Sequence, residues 1–238
     1  MDYEELNYRS VNSREAEVAA AFPALMRKVY VWMAFALVIT GLTAYIVATS
    51  PALLNLIFAN KAVMWILILA ELGIVIGISA AINKLSLPVA TLLFVLYSVI
   101  NGAVFSILFL VYTMSSIATV FFITAGTFAA MSIYGYTTKT DLTSMGKILF
   151  MALIGIIIAT IVNIFVKSSG LEMVISYIGV LIFVGLTAYD TQKIKQMCLQ
   201  APDAGETMQK YALLGALSLY LDFINLFIYL LRILGHRE

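Results

Sequence analysis

The sequence predicts an all-α polytopic membrane protein with seven transmembrane helices, on three observations. Of its 238 residues 63% are hydrophobic and only 11% charged, the mean hydropathy is +1.02, and the apolar residues gather into seven long runs. Soluble domains are about 45–50% apolar and about 25% charged, so this chain has too little charge to cover a water-facing surface. A span needs about 20 apolar residues for a hydrocarbon core about 30 Å thick, and roughly seven spans would use about 140 residues and leave the rest for loops. The runs are too long for the strands of a membrane barrel, about 9–11 residues each, so helices are left as the structure that satisfies the backbone in lipid.

Taken in order, residues 1–28 mix both charge signs and lack the basic start and apolar core of a cleavable signal; they are expected to form a solvent-facing cytoplasmic tail. The apolar runs follow at residues 29–49, 62–82, 87–111, 117–134, 148–166, 174–189 and 211–231. Polar, turn-forming pieces such as SPALLNLIFANK, NKLSLP, YTMSS and KTDLTSMGK separate them. The sixth run is the shortest and is expected to continue as a helix through Thr191, Gln192 and Lys193. The connection CLQAPDAGETMQK carries Pro202 and Gly205 and reads as a surface loop. The seven helices thus form one transmembrane domain, residues 29–234, with a short carboxyl tail at 235–238. Gly73 and Gly77 form a GxxxG pair in the second span, a pattern read here as close helix packing.

Orientation follows from the basic residues. With seven spans, Arg9, Arg14, Arg27, Lys28, Lys84, Lys139, Lys147, Lys193, Lys195 and Lys210 share one side, ten of the 14; Lys61, Lys167, Arg232 and Arg237 take the other. This places the amino terminus in the cytoplasm and the carboxyl tail outside, although Arg232 and Arg237 weaken the vote. A net charge of +1 offers no footprint for nucleic acid. One cysteine, Cys198, excludes an intramolecular disulfide and a thiolate cluster, and the single histidine, His236, lies at the end of the chain. Proton or cation chemistry therefore falls to carboxylates, Tyr and Lys, and no cofactor is expected.

Of the 13 acidic residues, Glu71 and Asp222 lie inside apolar runs and Asp190 closes one. An ionised carboxylate at mid-bilayer costs about 2.5–3.5 kcal/mol or more. Glu71 is about 14 Å into its run and Asp222 about 17 Å into its own, at about 1.5 Å per residue. Around Asp222, the residues Ser218, Asn225, Tyr229 and Arg232 recur at helical spacing and form one polar stripe on an otherwise apolar helix. Such a stripe serves either as interhelical glue or as the wall of a wet path; the acid at its centre favours the path. Asp190, before TQKIK, fits an interfacial acid paired with Lys193 or Lys195. For it to meet Asp222, the sixth helix must continue inward of the apparent boundary or the seventh begin later.

The closing run GALSLYLDFINLFIYLLRILG strongly resembles the signature of the transmembrane Bax inhibitor motif family, also called Bax inhibitor-1-like. LTAYDTQKIK resembles that family's preceding helix, and AELGIVIGISAAINKLS adds a more diffuse similarity. The resemblance implies a seven-helix fold with the last helix central and a pH-sensitive calcium-leak channel. It implies that Asp190 and Asp222 are the pH-sensing aspartate pair and transient calcium ligands, and that Glu71 is an acid that attracts cations. Calcium ions and protons are then the partners, beside the lipid bilayer. The family's gate also uses an arginine late in the second helix as a latch. This sequence has Ala80, Ala81 and Ile82 there, with Lys84 the nearest cation, a point charge rather than a bidentate fork. Without the family, Lys84 reads as an interfacial positive-inside residue.

The implied mechanism has a general basis. Two carboxyls in a low dielectric cannot both ionise cheaply, so they share a proton and titrate as a pair. Losing that proton makes them repel, separate or recruit a cation, and hard oxygen ligands suit calcium.

Rival classes are a non-transporting membrane regulator or scaffold and a proton-coupled carrier, the latter without visible inverted repeats. An intramembrane aspartyl protease would share Tyr189-Asp190, but its second motif is Gly-x-Gly-Asp, and Leu219-Tyr220-Leu221-Asp222 stands here. Its Pro-Ala-Leu element follows the second aspartate, whereas Pro23-Ala24-Leu25 and Pro51-Ala52-Leu53 precede the pair. A retinal protein needs a lysine in the last span, which residues 211–231 lack, and a serine rhomboid needs a buried histidine. A non-enzyme is expected. The absence of a cleavable signal fits a bacterial inner membrane or a eukaryotic internal membrane, and a bacterial inner membrane is expected.

Overall fold

A computed structural model describes residues 3–199 and 205–237, without the side chains of residues 3–19, 21 and 22. Its described residues form nine α-helices and one π-turn, and no β-strand. Helix α1 spans Tyr3–Ala48, α2 Pro51–Leu54, α3 Lys61–Ala81, α4 Leu87–Phe105, α5 Leu108–Val111, α6 Met114–Thr137, α7 Thr143–Val166, α8 Ser169–Leu199 and α9 Glu206–Leu234. Seven stretches are long and apolar enough to cross a membrane, with α4 and α5 together forming the third.

Capping side chains set where several helices begin. Asn60 Oδ1 accepts from the Ala62 N–H at 2.9 Å to start α3, and Thr113 Oγ1 accepts from the Ser116 N–H at 3.3 Å to start α6. Each satisfies an orphan donor of a first turn. Before α7, the Thr143 N–H and hydroxyl both donate to Asp141, at 2.9 and 2.6 Å, and hold its carboxyl below the usual carboxylate range. Lys167 ends α7 in the left-handed region, φ 53°. Ser168 then accepts from the Leu171 N–H at 3.2 Å, so α8 begins at once.

Three boundaries differ from the sequence expectation. α1 begins at Tyr3, so the helix runs from the expected tail into the first span. α8 continues past Asp190 through Thr191, Gln192 and Lys193, as expected, and on to Leu199, six residues further. There Thr191, Gln192, Ile194 and Cys198 are buried on one face, and a helix needs only one apolar face to pack, which a search for continuous apolar runs passes over. The connection expected at residues 198–210 is accordingly helical at both ends, and residues 200–204 lie outside the described residues. In the third span α4 ends where Ser106 turns its hydroxyl back to the Ala103 carbonyl at 2.7 Å, competing with the helical ladder.

The last helix is the axis of the bundle. Buried residues make up 61% of the most apolar stretch of α9, against 6% in those of α3 and α7. α1, α4, α6 and α8 pack around α9, while α3 leans on α4 and α7 on α8. On one side of the axis the Tyr220 ring is fully buried and meets Phe94 and Tyr97 edge-on at 5.9 and 5.8 Å. Thr40 gives its one proton to the Ser98 carbonyl at 3.0 Å, so the contact of 2.6 Å between Tyr220 and Thr40 is a bond donated by the phenol. The carboxyl end docks beside the start of α6: the His236 N–H donates to Ser116 Oγ at 2.9 Å, and the Thr113 N–H donates to the His236 carbonyl at 3.2 Å.

Candidate functional site

The α8–α9 interface supplies the site, and small residues set its register. A Cβ on Gly215 would lie 2.8 Å from Ile194, and one on Gly179 would lie 2.7 Å from the Tyr229 ring. The antiparallel helices therefore pair residue 215 with 194 and residue 229 with 179. In this register Ser218 or Leu219 lies opposite Asp190, and Asp222 about one turn, about 5 Å, further along the helix axis.

Beside this interface lies a cavity of about 960 Å³, walled by α7, α8 and α9 and touched by Leu72 of α3. Asp190 and Asp222 both line it, with Ser218, Asn225 and Tyr229 from the stripe on the last helix. Asp222 is only 4% exposed. Its Oδ2 is buried with no hydrogen-bond partner among the described residues, and Asp190 lies within electrostatic reach of it. Asn225 turns its amide N–H to the Leu221 carbonyl at 2.8 Å, which leaves its carbonyl oxygen for other contacts.

Cations stand at one end of the cavity. Lys147 and Lys193 line it, the charge of Lys193 acts on Asp190, and its ammonium sits 5.8 Å from the Tyr189 ring centroid. Lys195 faces elsewhere, donating to the Tyr136 carbonyl at 3.0 Å and lying 5.1 Å from that ring. Gln192 fixes the same end: it accepts from the Leu142 N–H and donates to the Thr140 carbonyl, both at 2.8 Å, which ties the α6–α7 connection to α8. At the other end Tyr229 stacks on Phe183, centroids 5.9 Å apart and planes 28° apart. The Arg232 guanidinium lies 5.6 Å from the Tyr229 centroid, although Arg232 itself is not among the lining residues. From Ser218 to Tyr229 the cavity follows about 16 Å of helix, about half of a 30 Å core.

Two residues singled out in the sequence lie apart from this cavity. Lys84 is exposed in the turn after α3 and lines no part of it. Glu71 is half-buried with Oε1 unpartnered among the described residues, and its charge reaches the hydroxyls of Tyr97 and Tyr220 on the other side of α9. Lys147 and Gln192 were not singled out in the sequence, because one lies in a loop-like stretch and the other beyond the last apolar residue of its run. The sequence continues the sixth helix through Gln192, but nothing in it says that this face packs against the α6–α7 connection.

Six apolar spans around a central seventh that carries a polar stripe, with an acid on each of two adjacent helices facing one cavity, define a multi-pass membrane protein. Residues 23–238 match the model of the family described as inhibitor of apoptosis-promoting Bax1, and the chain belongs to that family. It is 52% identical over 221 residues to the inner membrane protein YbhL of Escherichia coli strain K12, covering 92% of this chain and 94% of the relative. An uncharacterized protein of Borreliella burgdorferi is 49% identical over 213 residues, 90% of this chain and 92% of its own length. One from Caulobacter vibrioides is 36% identical over 237 residues, 95% of each.

Proposed function

We propose that the protein is a pH-sensitive calcium-leak channel of a bacterial inner membrane, with its amino terminus in the cytoplasm. The observation that carries this reading is the pair Asp190 and Asp222 facing one cavity, with an oxygen of Asp222 buried and unpartnered among the described residues. A buried acceptor without a donor is costly unless a proton, a water or an ion completes it. While one acid of the pair keeps its proton, Lys193 balances the negative charge beside Asp190. When that proton leaves, two carboxylates facing one cavity repel each other, and a divalent cation between them offsets that repulsion.

Lys193 therefore serves as the counter-charge at the mouth, the role that the sequence left to Lys84. The stacked Tyr229 and Phe183 close the inner end, so conduction requires Tyr229 to move. The reading is transport rather than catalysis, since Leu219, Tyr220 and Leu221 precede Asp222 where a protease needs glycines to admit a substrate backbone. The inner-membrane location is supported by the name of the Escherichia coli relative, and the orientation by the side that holds ten of the 14 basic residues.

The test is calcium entry into liposomes that hold the purified protein and a calcium dye, followed across pH. Wild type is expected to leak faster as pH rises through the titration of the pair, and Asp222→Asn to lose that dependence. Equal flux and equal pH dependence in the two proteins would sink the proposal.

A further inference from the structure

On the opposite side of α9 from the aspartates, α1 and α6 both lean on the axis but barely touch each other. The gap is a cavity of about 660 Å³ with Phe223 of α9 among its lining residues. Its α6 wall carries Ala125, Ala129 and Ser132 at helical spacing, small side chains that leave room for a slender apolar body. Along α1 the lining runs from Pro23 to Leu37, and along α6 from Phe121 to Tyr136, about 21–22 Å at about 1.5 Å per residue. One leaflet of a bilayer has about 15 Å of hydrocarbon and about 5–7 Å of headgroup layer. The groove is therefore as long as one leaflet is deep.

Its two ends differ in chemistry. Leu37 and Phe121 close the deep end, while Arg27 marks the shallow end, on the side where the basic residues gather. Arg27 is exposed, and neither ion pair among the described residues involves it. Ser132, one turn deeper than Tyr136, is 5% exposed, yet its hydroxyl has no hydrogen-bond partner among the described residues. Ser132 lines the groove, and a small rotation of its side chain would offer the unpartnered hydroxyl to an acceptor there.

We infer that this groove holds one anionic glycerophospholipid of the leaflet on the tail side. Its phosphate meets the Arg27 guanidinium, an ester carbonyl about one turn deeper accepts from the Ser132 hydroxyl, and an acyl chain lies past Ala129 and Ala125 toward Phe121. The order of groups along the lipid matches the order of residues along the groove: cation, single donor, apolar wall. Arg presents a planar fork suited to phosphate, and apolar helix surface in a bilayer is met by acyl chains.

The full-length protein is reconstituted in vesicles of phosphatidylethanolamine and phosphatidylglycerol. A trace of the phosphatidylglycerol carries a photoactivatable diazirine in its acyl chain. After illumination, labelled residues are mapped by peptide mass spectrometry. Label is expected to concentrate on residues 33–37 and 121–129. Arg27→Gln should reduce it about fivefold, which corresponds to about 1 kcal/mol for one basic residue at an anionic lipid. Ala129→Trp, which fills the groove, should abolish it. Arg27→Gln changes an exposed side chain and keeps the test decisive if the tryptophan variant fails to fold. Label spread evenly over the lipid-facing helices and unchanged by Arg27→Gln would overturn the inference, as would a cross-link showing a second copy of the chain in the groove.

Discussion

Asp190 and Asp222 stand about one helical turn apart on two antiparallel helices and line the same cavity. Neither helix alone brings them there. Gly215 against Ile194 and Gly179 against Tyr229 set the register, and in that register both acids reach one cavity. Because the charge of Asp190 acts on Asp222, their titrations belong to the pair. Asp190→Asn and Asp222→Asn are therefore expected to be non-additive: each alone removes most of the pH dependence of calcium flux, and the double variant adds little. Flux measured in liposomes at several pH values checks this. Effects that simply add would mean two independent sites.

Lys193 lines the cavity beside Asp190, and Lys84 does not. Lys193→Gln is expected to raise calcium entry by roughly tenfold, the low end of what a focused charge does to ion entry. Lys84→Gln should leave it unchanged. The comparison is made at low ionic strength, where the difference is largest and from which it should shrink as salt is added. The reverse pattern would return the latch to Lys84.

The seven helices were legible in the sequence because lipid demands long apolar runs, and those runs are local. The stripe on the last helix was legible for the same reason: Ser218, Asp222, Asn225 and Tyr229 recur at helical spacing, and all four line the cavity. What lay beyond reach was pairwise. Whether Asp190 belongs to the interface or to the cavity depends on how α8 slides along α9, and that is set by the volumes of Gly179 and Gly215 rather than by any polar pattern. Glu71 shows the converse. Its depth is like that of Asp222, but α3 leans on α4, and its charge reaches Tyr97 and Tyr220.

The Thr40–Tyr220 bond joins α1 to the axis, and Tyr220 has no access to water. Thr40→Val leaves the phenol without an acceptor. The expected cost is about 1 kcal/mol, between the average of about 0.6 for a hydrogen bond between membrane helices and the range of about 1–3 for an orphaned buried group. Thermal melting in detergent reads it, and adding Tyr220→Phe should recover part of the loss. No recovery would assign the loss to packing around the Thr40 methyl group.

Asp141 supplies the one pH effect expected outside the membrane core. Hydrogen bonds from the Thr143 N–H and hydroxyl lower its folded value below the ordinary 3.8. A lowered carboxyl value gives stability that is present above 3.8 and is lost as pH falls through the folded value. Amide exchange at residues 143–147 is therefore expected to be faster in Asp141→Ala than in wild type near neutral pH. The gap should close in acid, once the wild-type carboxyl is protonated. A gap that persists unchanged in acid would show that the carboxylate charge is not what holds this turn.

Gly179 tests whether Tyr229 closes the path. A methyl group at Gly179 would stand 2.7 Å from the edge of the Tyr229 ring, so in Gly179→Ala the ring has to move. The ring stacks on Phe183 on one side, and the Arg232 guanidinium lies 5.6 Å from its centroid, so moving it disturbs both contacts. Overpacking of this kind costs about 1–3 kcal/mol, and the melting temperature should fall. If Tyr229 closes the inner end of the cavity, the same displacement opens it, and calcium flux rises while stability drops. Gly179→Ala combined with Tyr229→Ala separates the two effects: the clash is gone, so stability recovers in part, yet flux stays high because the ring itself is absent. A Gly179→Ala protein that melts earlier but leaks no faster would place Tyr229 outside the path, and the route beyond Asp222 would then have to run along another face of α9.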